Sequence, residues 1–291
     1  MVKDVHEILD WYDKFDGKSI LLKTDKHQFE FELSNRQLPH LLGLHYASDG
    51  YLKGKRLYNF IKRYDTDTLL KWVREYNPHQ LENVSNRIDY FRSFMEKIEE
   101  ANLYEMTSKR TQIKSDYLLV ELEGVGVLQL GIGQDRSDID YLETFLVQHD
   151  DSYYRDSTIE EAVTGLYEID DNDRLIPFSF NADRDRELKR QYVATQERIT
   201  QFYKDSDGDG LSDTVELSLG LNPMSQDSDG DGKQDLAELV QGDNPRDPYD
   251  QEQKETLSPP IPFEKVITEA KNKVAQDSAP DKGNDYDLDL S

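Results

Sequence analysis

Cysteine is absent from this chain of 291 residues. Disulfides and thiolate metal sites are thereby excluded, and any bound metal must be held by oxygen or nitrogen. A run of about 18 apolar residues, enough to cross a bilayer as a helix, is also missing. The opening M-V-K-D-V-H-E-I-L-D lacks the apolar stretch of a signal peptide. The sequence therefore reads as a chain without membrane insertion that starts in the cytoplasm. Positive charge is scarce: 35 Lys and Arg face 60 Asp and Glu, a net charge of −25. That balance disfavours nonspecific binding to nucleic acid. The deficit is uneven, however. Residues 205–250 hold 2 basic and 13 acidic side chains, whereas residues 51–100 hold 10 basic and 8 acidic. In the second stretch a local basic patch can still grip phosphate.

The acidic stretch is a duplication. D-S-D-G-D-G-L-S-D-T-V-E from Asp205 to Glu216 returns as D-S-D-G-D-G-K-Q-D-L-A-E from Asp227 to Glu238. Side-chain oxygens fall at positions 1, 3, 5, 9 and 12 of each copy, with glycine at position 6. That is the ligand schedule of a twelve-residue calcium loop, since calcium takes about six to eight hard oxygen ligands in a flexible shell. In the first copy Asp205, Asp207 and Asp209 offer carboxylates, and Leu211 offers its backbone carbonyl. Asp213 acts directly or through water, and Glu216 closes the shell. In the second copy the same places are held by Asp227, Asp229, Asp231, the carbonyl of Lys233, Asp235 and Glu238. Gly210 and Gly232 permit the sharp turn. Two calcium ions are expected. Without them five carboxylates per loop repel, so the segment is expected to fold on binding. The alternative is a solvated acidic loop that binds nothing, which two full matches in tandem disfavour.

A shift of 22 residues also aligns Leu217 with Leu239, Gly220 with Gly242, and Asn222-Pro223 with Asn244-Pro245. Each unit is thus a loop, a short helix and an Asn-Pro turn, and L-G-L-N-P-M-S-Q before Asp227 holds no incoming helix. Over residues 204–248 the chain resembles bacterial thrombospondin type 3 repeats, which are EF-hand-like calcium loops. Dockerin modules are the second choice, but they space their loops further apart.

Upstream, the pattern is that of an α+β domain over 1–180. Val5, Ile8, Leu9 and Tyr12 predict an amphipathic helix over 4–15. Ser19–Thr24 and Gln28–Leu33 predict a hairpin turning at Asp25-Lys26. Helical patterns follow over 55–63, 67–76 and 80–100. The period then switches to two, predicting strands over 103–107, 116–123, 125–132 and 142–148, with Gly124 turning the central pair. The expected architecture is helices with a mostly antiparallel sheet. Residues 181–204 predict a charged helical linker, 205–248 the two repeats, and 249–291 a largely disordered acidic tail with a short helical pattern at 263–275.

Several strings occur in a telling order: P-H-L-L-G-L-H from Pro39, L-K-G-K-R-L-Y-N-F-I from Leu52, R-I-D-Y-F from Arg87, Y-L-L-V-E-L from Tyr117, L-Q-L-G-I-G from Leu128 and E-T-F-L-V from Glu143. This succession, over about residues 5–165, resembles the phage-associated nuclease-like family of the barnase–EndoU–colicin E5/D–RelE superfamily. The resemblance implies a helix-plus-antiparallel-sheet fold and metal-independent cleavage of an RNA substrate. A ribose 2′-hydroxyl would attack the adjacent phosphate, which calls for proton transfer groups and cations. His40 is the first choice for acid–base work. Arg56 or Lys55, and Arg87, are candidate cations. Thr144 would donate to a phosphoryl oxygen, and Tyr153 or Tyr154 would stack on a base.

Each choice has a structural counterpart. His40 after Pro39 could cap a helix, His45 reads as structural, and Lys53, Lys55 and Arg56 as a solvated turn. Arg87 could pair with Asp89 or Glu82, and Thr144 suits a strand by shape. The pairs Glu160-Glu161 and Asp170-Asp171 are given no role. Two function classes follow: a nuclease-like toxin or effector from a mobile element, with a cognate inhibitor protein, or a noncatalytic binding protein of the same fold. Extracellular calcium modules bind with Kd on the order of 10⁻⁴–10⁻³ M, well above cytoplasmic free calcium. Export by a signal-independent route would reconcile the two.

Overall fold

The computed structural model describes residues 2–48, 50–108, 114–123 and 126–249. Among the described residues the chain divides into one compact unit ending at Tyr192 and a second beginning at Val193. In the first unit, α1 (Val5–Tyr12) buries Val5, Ile8, Leu9 and Tyr12, the four residues at helical spacing, and Trp11 beside them. Its N-cap Asp4 accepts from His6 N at 3.0 Å, satisfying one of the N–H groups a helix start leaves open. Thr66 Oγ1 accepts from Val5 N at 2.9 Å. The start of α1 is thereby tied to that of α4 (Thr66–Tyr76). Between them lie α2 (Leu38–Leu41) and α3 (Gly54–Ile61). The helical pattern over 80–100 is broken into pieces: a 3₁₀ turn at Pro78–Gln80, α5 (Leu81–Met95), and a second 3₁₀ turn at Ile98–Glu100.

β1 (Ser19–Thr24) and β2 (Gln28–Glu32) form the expected hairpin, β2 alternating buried and exposed residues and β1 burying the run Ile20–Leu22. A meander follows: β3 (Asn102–Glu105), β4 (Tyr117–Glu123), β5 (Gly126–Gln134) and β6 (Asp140–Gln148). Gly124, expected to turn the central pair, lies outside the described residues. Two further strands have no counterpart in the sequence pattern, β7 (Glu160–Ile169) and β8 (Leu175–Pro177). β7 joins the two halves, giving the antiparallel order β2-β1-β7-β3-β4-β5-β6 with β8 on β7. The sheet curls until its ends meet, where Glu30 N donates to Asp140 Oδ2 at 3.0 Å. This is the expected α+β architecture.

Helices and sheet share one core. Phe91 and Phe94 of α5 meet Phe145 of β6 with ring centroids 5.3 and 5.5 Å apart. The other face of β4 and β5 buries Leu118, Val120 and Val127 beneath Tyr104, Tyr153 and Tyr154. Tyr153 and Tyr154, expected to stack on a base, are thus packing residues there.

α6 (Ala182–Phe202) is charged throughout and buries no residue. In the first unit its opening turns are held by Arg184 Nε on Glu99 Oε2 at 2.6 Å. The division between the two units falls inside this helix. In the second unit, α7 (Asp213–Leu219) and α8 (Asp235–Gln241) each carry the end of one acidic loop. Leu211, Val215 and Leu221 form a small core there, with Leu219, Leu236 and Leu239 against it. The 22-residue repeat persists in the backbone: Asp213 N donates to Lys204 O at 2.7 Å, and Asp235 N to Gln226 O at 2.8 Å. The tail expected beyond residue 249, with its helix at 263–275, lies outside the described residues. No helix among the described residues is long and apolar enough to cross a membrane.

Candidate functional site

In the first unit a cavity of about 540 Å³ opens between α2, the start of α3 and β6. Polar side chains converge on it: Arg36, Gln37, His40, His45, Lys53, Tyr141 and Glu143 all line its wall. Pro39 sets the first turn of α2, which its fixed φ and missing N–H suit. His40 follows inside the helix, whose N-cap is Gln37, so it is not a cap. The rings of His40 and His45 stack with centroids 4.7 Å apart, and His45 in turn meets Tyr46 at 4.0 Å. His45 Nδ1 and Gln37 Oε1 are buried without a hydrogen-bond partner among the described residues. Two orphaned polar atoms on one wall are what a ligand or ordered water would satisfy.

Electrostatics favour neutral imidazoles here. Burial, then the charge of Arg87, holds His40 below its usual range, with Glu143 opposing. Burial and neighbouring His40 push His45 down to about 4. Arg87 of α5 is half-buried behind the cavity. It donates to Leu41 O at 3.4 Å and makes no ion pair among the described residues. Asp89, one of the expected partners, instead accepts from Lys3 N at 2.7 Å. The start of α3 adds partial positive charge: its N-cap Lys53 makes no side-chain cap, so first-turn N–H groups beside Gly54 remain open for an anion.

Glu143 owes its place to a β-bulge. Gly131 pairs with Thr144 and Ile132 with Leu142, which leaves Glu143 as the extra residue on β6. Its carboxylate accepts from Lys114 N at 3.0 Å and Ser115 Oγ at 2.6 Å. Thr144, the neighbour favoured from sequence, is buried against β5. A Cβ on Gly131 would come within 2.9 Å of Thr144 Cγ2 and collide with Ser115 Oγ, and Thr144 is not among the residues lining the cavity. Arg56 also lies off the cavity wall, exposed on the outer face of α3. Of the four catalytic candidates, only His40 lines the cavity. Arg87 acts on it from behind. Sequence reasoning misses Glu143, Tyr141, Arg36, Lys53 and His45 as site residues; the E-T-F-L-V string contains the signal for Glu143, since a carboxylate before a strand threonine needs a reason to be there.

In the second unit, ligand atoms of Asp205, Asp207 and Asp209 lie within 4.8 Å of one another, as do those of Asp227, Asp229 and Asp231. Both Glu216 oxygens, Asp207 Oδ2 and Asp229 Oδ2 are buried without a hydrogen bond. Burial and the neighbouring Asp207 and Asp209 push the Glu216 carboxyl up to about 7. Glu238 is fully buried at the equivalent place. Asp213 is engaged otherwise: it accepts from Ser206 N at 2.8 Å and Lys204 Nζ at 2.8 Å. Asp235 likewise accepts from Ser228 N at 2.8 Å. These ninth-position residues brace their loops. Leu211 sends its side chain into the small core, and Lys233 Nζ pairs with Asp243 at 3.1 Å. Gly210 has φ +99°, and a Cβ there would lie 2.8 Å from Leu236 Cδ2, so the loop crossing admits only glycine. Helix α6 ends at Phe202, directly before Asp205, giving the first loop an incoming helix that the second lacks.

Residues 4–185 match the model of the phage-Barnase-EndoU-ColicinE5/D-RelE like nuclease4 family. The match spans more than half of the chain, and the chain belongs to this family. No curated protein and no solved structure matches it.

Proposed function

We propose that this member of the nuclease-like family is a metal-independent endoribonuclease whose catalytic centre is the His40–His45 cavity. The observation that carries the reading is the convergence of two stacked, neutral-leaning imidazoles with Arg36, Lys53 and an uncapped helix start in one cavity. His40, the ring open to solvent, takes the proton of the ribose 2′-hydroxyl as that oxygen attacks phosphorus. Arg36 and the α3 N–H groups stabilise the charge on the phosphoryl oxygens. Lys53 delivers a proton to the departing 5′-oxygen. Arg87 sustains the neutral form of His40 without touching substrate.

The second unit, in the same reading, is a structural module for two calcium ions. The orphaned buried oxygens of Glu216, Asp207 and Asp229 and the paired aspartate clusters fit a hard cation of this kind. Bound calcium would offset the crowded negative charge of each loop; Asp213 and Asp235 hold the loop backbone, and none of these residues takes part in cleavage. An RNase of this kind needs restraint in the cell that makes it, hence a cognate inhibitor protein, and its calcium module suits work after export.

The test is incubation of the full chain with total RNA, with calcium and with chelator, beside His40→Ala. Products ending in 2′,3′-cyclic phosphate, lost in the variant and indifferent to chelator, are expected. Intact RNA under every condition would remove the catalytic assignment and leave a binding protein of the same fold.

A further inference from the structure

The acidic chain has one conspicuous basic run. Residues 52–76 hold seven Lys or Arg against three Asp or Glu, and they form α3, α4 and the turn between them. Lys62 is spoken for, pairing with Asp13 at 2.9 Å and lying over the Tyr58 ring at 5.2 Å. Lys55, Arg56, Arg63, Lys71 and Arg74 are exposed and make no ion pair among the described residues. In a protein with such an excess of carboxylates, this run of unpaired surface cations makes a local positive patch that attracts a polyanion.

Aromatic rings are interleaved with these cations. Tyr51 is 85% exposed, and it sits between Gly50 and Leu52, both on the cavity wall. At the far end of α3, Phe60 stacks on Trp72 at 5.4 Å and Tyr64 meets Trp72 edge-on at 4.7 Å. Phe60 and Trp72 are half-buried against the core, while Tyr64 keeps 37% of its surface open. The start of α3 lines the cavity through Lys53, Gly54 and Leu57. From Leu57 to Ile61 helix α3 rises about 6 Å, roughly two steps of a stacked strand at 3.4 Å each, and Tyr64 lies in the turn beyond it. Exposed cations and partly exposed rings therefore run from the cavity mouth, along α3 and into the turn after it.

We infer that the α3–α4 face, from Tyr51 through Arg56 and Arg63 to Tyr64 and Lys71, holds the single-stranded RNA flanking the scissile phosphate. The inference rests on the proposed nuclease reading and names the substrate form that site would take. A duplex keeps its bases stacked on one another and offers none to Tyr51 or Tyr64; an unpaired strand offers every base. Arg56, chosen from sequence as a catalytic cation, acquires its role here, engaging the RNA backbone outside the reacting centre.

The experiment is fluorescence anisotropy of the full chain with labelled 2′-O-methyl oligonucleotides, whose blocked hydroxyl prevents cleavage, in a series of increasing length. Affinity is expected to rise with length until the strand reaches Tyr64. Tyr64→Ala should weaken binding about tenfold, within the range of one base–aromatic stack. Arg56→Ala and Arg63→Ala should each flatten the salt dependence, by about 0.7 in log–log slope for each phosphate no longer neutralised. Unchanged melting temperatures for these exposed positions show that folding is not the cause. Binding that is independent of length, or untouched in all three variants, overturns the inference. So does equal binding of polyglutamate, which would assign the face to an acidic protein partner, or of duplex RNA. Cleavage does not enter this readout: length-dependent binding without any RNase activity rejects the catalytic reading alone.

Discussion

The imidazoles of His40 and His45 lie face to face, 4.7 Å between centroids and 28° between planes. Two protonated rings at that distance would repel, so protonating one disfavours protonating the other. Burial deepens the effect for His45, which is brought to about 4. His45 is thus the neutral support at neutral pH, and His40 the partner nearer to solvent.

For catalysis, the acidic limb of the pH–rate profile is expected below pH 6.5, because a base must be neutral and His40 is held under its usual value. Arg87→Gln removes a cation that disfavours protonation, so the limb should move to higher pH. NMR titration of the His40 ring checks the same shift without relying on activity. A limb that stays in place in the variant would show that Arg87 does not act on His40.

For acid stability, Glu161 is informative. Hydrogen bonds from Thr24 and His27 bring its carboxyl down to about 2, with Thr24 Oγ1 at 2.6 Å and His27 Nδ1 at 3.0 Å. A folded-state pKa below the unfolded one stabilises the protein above about 4.5, and the stabilisation is lost as pH falls from there towards 2. Glu161→Gln should lower the melting temperature at neutral pH and flatten the melting curve's dependence on acid in that window. His45 adds in the same direction: its contribution is present above 6.5 and is lost as pH falls towards 4.

For packing, Gly131→Ala should destabilise the first unit. The new methyl would press on Ser115 Oγ and Thr144 Cγ2 on two flanking segments, and overpacking of this kind costs about 1–3 kcal/mol. Urea denaturation measures it, and an unchanged midpoint would show that the site accommodates the methyl.

For calcium, isothermal titration of the full chain should give two ions per molecule, and one for Glu216→Ala or Glu238→Ala. Circular dichroism should gain helical signal on calcium addition. Identical spectra with calcium and chelator would show that the loops fold unaided.

Legibility from sequence follows the physics of each element. α1 is readable because its apolar period is unbroken, and the β1–β2 hairpin because two apolar runs flank the polar Asp25-Lys26 turn. β7 is not, because its inward-facing Glu161 is a carboxylate buried by specific hydrogen bonds, and alternation counts it as polar. The bulge at Glu143 defeats the same rule differently, by shifting which side of β6 each residue faces. Arg56 lies in the right string but on the wrong side of α3. His45 reads as structural because nothing in one dimension shows that it stacks on His40.

The place of β7 also sets an order of events. Among the described residues the hairpin β1–β2 and the meander β3–β6 are joined in the sheet only through β7, which follows both in the chain. During synthesis the two halves emerge first and wait with open edges until residues 160–169 are made. Completion of the sheet is therefore a late, long-range closure, the slow kind of step in folding. A ribosome-bound chain ending before residue 160 would expose unpaired edges to aggregation or chaperones. If the cavity needs the closed sheet to bring β6 against α2 and α3, the chain has no working site until nearly the whole first unit has been made.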